Sequence, residues 1–140
     1  MQIHQSAEDY LETILMLSQR MGKVRSIDVV NELGFTKASV SIAMKKLREN
    51  GYIAVDGEGN LTLLAPGREI AERIYSRHRL LTHFFMQLGV DEKTAAEDAC
   101  KAEHILSEQT LEKIRERAIE PDAELGKTVK CSPQHSKIVK

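Results

Sequence analysis

Ser26-Ile27-Asp28-Val29-Val30-Asn31-Glu32-Leu33-Gly34-Phe35-Thr36-Lys37-Ala38-Ser39-Val40-Ser41-Ile42-Ala43-Met44-Lys45-Lys46-Leu47-Arg48 is the stretch that decides the fold. Ser26 reads as the cap of a short helix and Gly34 as its stop. Phe35 and Thr36 lead into a second helix. There Val40, Ala43, Met44 and Leu47 recur at helical spacing and face a core, while Lys37, Ser39, Ser41, Lys45 and Arg48 stay outside. A helix, a glycine-containing turn, then a helix bearing small polar residues and lysines is the helix-turn-helix layout.

Working outward, Asn50-Gly51 ends the second helix. Tyr52-Ile53-Ala54-Val55 and Leu61-Thr62-Leu63-Leu64 are strand-like runs around the turn Asp56-Gly57-Glu58-Gly59-Asn60. A hairpin directly after such a helix is a wing, and the combination is more specific than either part. Upstream, residues 7 to about 20 read as a helix with Leu11, Ile14 and Leu15 on one face, closed by Met21-Gly22-Lys23. Ser6 and Asp9 fit a capping box, which gives Asp9 a purely structural role, and Glu12 by itself reads as a solvated acid.

The composition supports a DNA-binding role only locally. Net charge is −1, but Arg20, Lys23, Arg25, Lys37, Lys45, Lys46 and Arg48 face only Asp28 and Glu32 over the same interval, the basic footprint of a nucleic-acid site. Hydrophobic residues make up 41% of the chain, and no apolar run approaches the roughly 18 residues that span a bilayer, so no membrane partner is expected. Two cysteines, Cys100 and Cys131, do not make a disulfide scaffold; the expectation is a reduced, cytoplasmic protein.

Beyond the wing, Pro66-Gly67 opens a helix running through Ile70, Ile74, His78 and Leu81 towards Phe84 and Phe85. Asp91 caps another, which carries Cys100-Lys101-Ala102-Glu103-His104, and Thr110 to Arg117 form a last short helix. Cys100, Glu103 and His104 stand at i, i+3 and i+4. On a helix they share a face, which suits either a sulfur, oxygen and nitrogen ligand set for a first-row transition ion or an ordinary amphipathic helix. His78 by itself reads as a satisfied core or surface histidine rather than as a ligand. The fold class is therefore mainly α. An N-terminal winged helix-turn-helix (1–65) precedes an all-helical dimerisation domain (66–120) and a polar tail (121–140) that contains Cys131 and His135. Too little chain follows the wing to cover the apolar stripes of these helices, so a homodimer is expected.

Glu8-Asp9-Tyr10-Leu11-Glu12, the recognition helix from Thr36 to Leu47, Arg77-His78-Arg79-Leu80-Leu81, and Cys100-Lys101-Ala102-Glu103-His104-Ile105-Leu106-Ser107 follow one another in an order that resembles the diphtheria toxin repressor family of metal-dependent regulators. Within it, the likeness is to the short manganese-sensing branch. It covers roughly residues 6 to 118. The resemblance implies a repressor whose corepressor is Mn(II) or Fe(II), which controls metal-uptake genes and binds a palindromic double-stranded operator as a dimer. It also implies metal ligands at Asp9, Glu12, His78, Cys100, Glu103 and His104. Cys100 stands where the iron-sensing branch has cysteine and the manganese-sensing branch glutamate, so the ligand set is a hybrid. The ancillary acid and histidine of the iron branch fall at Thr82 and Ala96, implying that this second site is absent.

For DNA, the expected contacts are Thr36, Lys37, Ser39, Ser41, Ile42 and Lys45. Ile42 stands where relatives carry a polar or basic residue, so an apolar contact, such as one to a thymine methyl, is expected there. Two other classes compete. One is a metal-independent winged-helix regulator; the other is a hydrolytic metalloenzyme, disfavoured because no nucleophile or oxyanion donor is suggested.

Overall fold

The structure, a computed structural model, describes residues 5–118. By contacts the chain divides between Arg73 and Ile74.

The first unit holds α1 (Gln5–Met21), β1 (Val24–Arg25), α2 (Ser26–Leu33), α3 (Lys37–Glu49), β2 (Ile53–Val55), β3 (Asn60–Leu63) and the start of α4 (Ala65–Gln87). α1 is the axis of this unit and packs against α2, α3, β1 and β3. Tyr10 to Leu15 are all buried, and Leu17 with them. A helix buried on more than one side needs apolar residues at more than one spacing. Val29 and Leu33 of α2, Val40, Met44 and Leu47 of α3, and Ile53, Leu61 and Leu63 of the sheet supply the rest of the core. Truncating a fully buried member such as Leu11 to Ala is expected to cost about 2–5 kcal/mol.

Local signals explain most boundaries. Gly34 ends α2 at φ 74°, a left-handed conformation that favours glycine. Thr36 caps α3: its hydroxyl oxygen accepts the Ser39 backbone N–H at 3.1 Å. The expected cap at Ser26 shifts by one residue. Arg25 is the N-cap, and its backbone N–H donates to the Asp28 carboxylate at 2.9 Å. Ser6 lies inside α1, which begins at Gln5, and is not the cap residue expected.

The wing gains a strand that periodicity could not show. Three antiparallel strands lie in the order β1-β3-β2, with Val24 opposite Leu61 and Ile53 opposite Leu63. Two residues are too few for an alternation to register; pairing to β3 makes Val24–Arg25 a strand. At the junction of wing and α4, a Cβ on Gly67 would stand 2.2 Å from the Tyr52 carbonyl oxygen, so no larger residue fits without moving backbone.

The second unit comprises the rest of α4, α5 (Glu92–Ala102) and α6 (Glu108–Arg117). Leu80, Leu81, Ala99 and Leu111 form its core, with Phe85, Leu106 and Ile114 packed against them. α6 starts two residues earlier than the expected Thr110, because Ser107 is its N-cap and accepts the Thr110 backbone N–H at 3.2 Å. The tail, including Cys131 and His135, lies outside the described residues. No helix among the described residues is long and apolar enough to cross a membrane.

Candidate metal centre and DNA-binding surface

The second unit brings four of the expected ligands together. His78 and Glu103 are both fully buried, and His78 Nδ1 lies 3.0 Å from Glu103 Oε2. With an ionised carboxylate as acceptor, Nδ1 is the donor, which leaves Nε2 as the lone-pair nitrogen. The other carboxylate oxygen, Glu103 Oε1, is 3.5 Å from His104 Nε2, and the Cys100 sulfur is 3.7 Å from His78 Nδ1. A carboxylate taken out of water this completely needs charge compensation. Nitrogen, oxygen and sulfur donors around one buried carboxylate fit a borderline transition ion and suit the hard cations calcium and magnesium poorly.

The geometry of this cluster differs from the expectation of one helical face. α5 stops at Ala102; Glu103 is its C-cap, still in a right-handed helical conformation, and His104 follows in the turn. The expected i, i+3, i+4 helix therefore ends inside the motif, and a turn, not a continued helix, presents the Glu-His pair. Cysteine ligates a metal as the thiolate, so the metal-binding form of the site is the reduced one.

Asp9 and Glu12 lie on α1 in the first unit. Glu12 is 1% exposed, which overturns its reading as a solvated acid. Asp9 is half-buried, and its backbone carbonyl accepts the Thr13 hydroxyl at 2.7 Å. Beside it, burial first and the Asp9 charge second push the Tyr10 hydroxyl above its ordinary pKa. Thr82 and Ala96 are both buried.

Sequence reasoning missed one residue at the cluster. Arg77 donates from Nη1 to the Glu103 carbonyl at 3.1 Å and from Nη2 to the Glu108 carboxylate. Its place immediately before His78 was the available signal.

In the first unit, Thr36, Lys37, Ser39, Ser41, Ile42 and Lys45 are all exposed on or beside α3. Lys46 and Arg48 add positive charge in its last turn. Thr36 and Ser39 also bond one another through their hydroxyls at 2.9 Å, so both shape the helix start as well as lining the surface. Ile42 is 58% exposed on this surface, open to an apolar contact with a base edge.

A winged helix-turn-helix with an exposed basic helix, followed by helices that gather buried Cys, Glu and His groups, defines a metal-dependent DNA-binding repressor. Residues 2–61 match the iron dependent repressor N-terminal DNA binding domain, and residues 65–126 match the iron dependent repressor metal binding and dimerisation domain. The chain belongs to this family, the diphtheria toxin repressor family. It is 36% identical over 113 residues to an uncharacterized HTH-type transcriptional regulator of Methanocaldococcus jannaschii, covering 79% of this chain and 90% of that one. It is 31% identical over 134 residues to the HTH-type transcriptional regulator MntR of Lysinibacillus sphaericus, covering 94% and 96%. The solved structure of the manganese regulator SloR superposes with a TM-score of 0.70 at 27% identity. That match covers 84% of this chain and 54% of SloR, so the chain spans about half the length of that regulator.

Proposed function

We propose that this repressor uses Mn(II) or Fe(II) as corepressor, binds a palindromic operator as a homodimer in the cytoplasm, and controls metal-uptake genes. The observation that carries this reading is the buried cluster of His78, Glu103 and His104 with the Cys100 sulfur beside it. The ligand set takes in Asp9 and Glu12 as the family resemblance implies, with Cys100 acting as a thiolate. A bound divalent ion supplies the positive charge that offsets these carboxylates.

Donors carried on both α1 and the helical unit link metal occupancy to the DNA-binding unit. Operator DNA then selects the metal-restrained state, because a ligand that binds one conformation better shifts its population. Thr36, Lys37, Ser39, Ser41, Ile42 and Lys45 face the operator, the lysines on phosphates and the shorter side chains on base edges. Dimer symmetry calls for one α3 per half-site.

Operator affinity, titrated anaerobically under reductant with Mn(II), Fe(II) and Zn(II) at fixed salt, tests the proposal. A large gain that chelation reverses is the expected result, and the order of activation ranks the metals. Tight binding that ignores metal would instead leave a metal-independent winged-helix regulator. The name MntR and the manganese-regulator structure support manganese, while a thiolate donor supports a softer ion.

A further inference from the structure

Two consecutive residues of α4 hold the same residue at two different points. His78 meets the Glu103 carboxylate at 3.0 Å, and Arg77 donates to the Glu103 backbone carbonyl at 3.1 Å. Glu103 sits past the end of α5, where the helix no longer dictates its orientation, and its carbonyl is among those a helix end leaves without an intrahelical partner. The second arm of the Arg77 guanidinium reaches Glu108 in the first turn of α6, beyond the turn that carries His104. Arg77 is only 14% exposed, whereas Glu108 is 77% exposed, so the fork is anchored inside and tied off at the surface.

We propose that Arg77 is a positioning residue of the metal centre. It clamps the Glu103–Ser107 turn between α4 and α6, so that the Glu103 carboxylate and the His104 ring are presented together before an ion arrives. The inference rests on reading this cluster as the metal site. A guanidinium cannot ligate a cation, so its influence on metal binding must pass through the geometry of the groups it holds. The planar fork is essential to the idea, since one lysine ammonium cannot hold the carbonyl and the carboxylate in fixed directions at once.

The test measures the Mn(II) dissociation constant of the full-length reduced protein without DNA, alongside the melting temperature of the metal-free form. Loss of an outer partner of a ligand weakens metal binding by about 10–100-fold, so R77A is expected to bind Mn(II) at least about tenfold more weakly. R77K should recover only part of this. E108Q unties the surface end of the fork but leaves the bond to the Glu103 carbonyl in place, so it should weaken Mn(II) binding measurably but by less than R77A.

A purely structural role would lower the melting temperature of R77A while Mn(II) affinity stayed at the wild-type value, and that result overturns the proposal. Full rescue by R77K would also overturn it, because charge alone would then suffice. A wild-type protein that binds no Mn(II), Fe(II) or Zn(II) would sink the metal reading itself, a different outcome from an unaffected R77A.

Discussion

The His78 imidazole and the Glu103 carboxylate meet at 3.0 Å with neither side chain exposed, and this contact joins α4 to the turn after α5. It orients the ring nitrogen and holds the carboxylate at the same time, as partners around a metal site do. Glu103→Ala removes a candidate ligand and strands a buried imidazole. Metal-stimulated operator binding should be abolished, and the metal-free protein should lose about 1–3 kcal/mol of stability. Fluorescence anisotropy on a labelled operator and urea unfolding read the two effects separately. Unchanged metal stimulation would contradict the role of this carboxylate.

Cys100 is the residue through which metal preference should be adjustable. Cys100→Glu replaces a soft donor with a hard one and is expected to raise activation by Mn(II) relative to Zn(II) and Fe(II). Comparing half-activating concentrations for the three ions in wild type and variant measures the change. The wild-type protein should also lose metal response on oxidation and regain it with reductant, since only the thiolate ligates.

Ile42 lends itself to a test that removes one methyl group from the DNA. Replacing thymines of the operator one at a time with deoxyuridine should weaken wild-type binding at one step per half-site. The expected loss is about fourfold, the equivalent of roughly 0.8 kcal/mol for one buried methyl-sized group. Ile42→Ala should bind more weakly and become insensitive to that substitution. Equal wild-type affinity for every deoxyuridine duplex would remove Ile42 as a base reader.

The wing tip carries its own pH signature. Asp56 accepts the backbone N–H groups of Glu58 and Asn60 and the Asn60 side-chain amide, each at 2.9 Å. Hydrogen bonds from Asn60 hold its carboxyl below the ordinary carboxylate pKa. A lowered folded-state pKa means that this contribution to wing stability is complete above the unfolded value of about 3.8. It is lost as pH falls through the lower, folded value. Protection of the Asn60 amide against exchange, relative to its intrinsic rate at each pH, should therefore fall in acid, below the range in which unperturbed aspartates titrate, and Asp56→Ala should lower it at neutral pH.

Phe84, Thr110 and Ile114 line an open groove between α4 and α6, and Ile105 is three-quarters exposed. In a chain with a dimerisation domain, these apolar groups are candidates for cover by a second copy. Phe84→Glu should shift the protein towards monomer in sedimentation experiments. Operator affinity should fall by more than tenfold, because a monomer gains nothing from the second half-site.

Residue pattern alone determined the helix-turn-helix, the wing, the apolar faces of α1 and α3, and the identity of the donor types. These depend on period, caps and glycine stops, which are local and need no partner to be recognised. Tertiary structure decided the rest. Whether Glu12 is solvated or buried depends on what packs over it, and the periodic pattern of α1 cannot say. Val24–Arg25 became a strand only through pairing with β3, and α5 stopped at Ala102 although its spacing continues through His104. The bond from Arg77 to Glu103 spans 26 residues of sequence, and only folding brings such groups together.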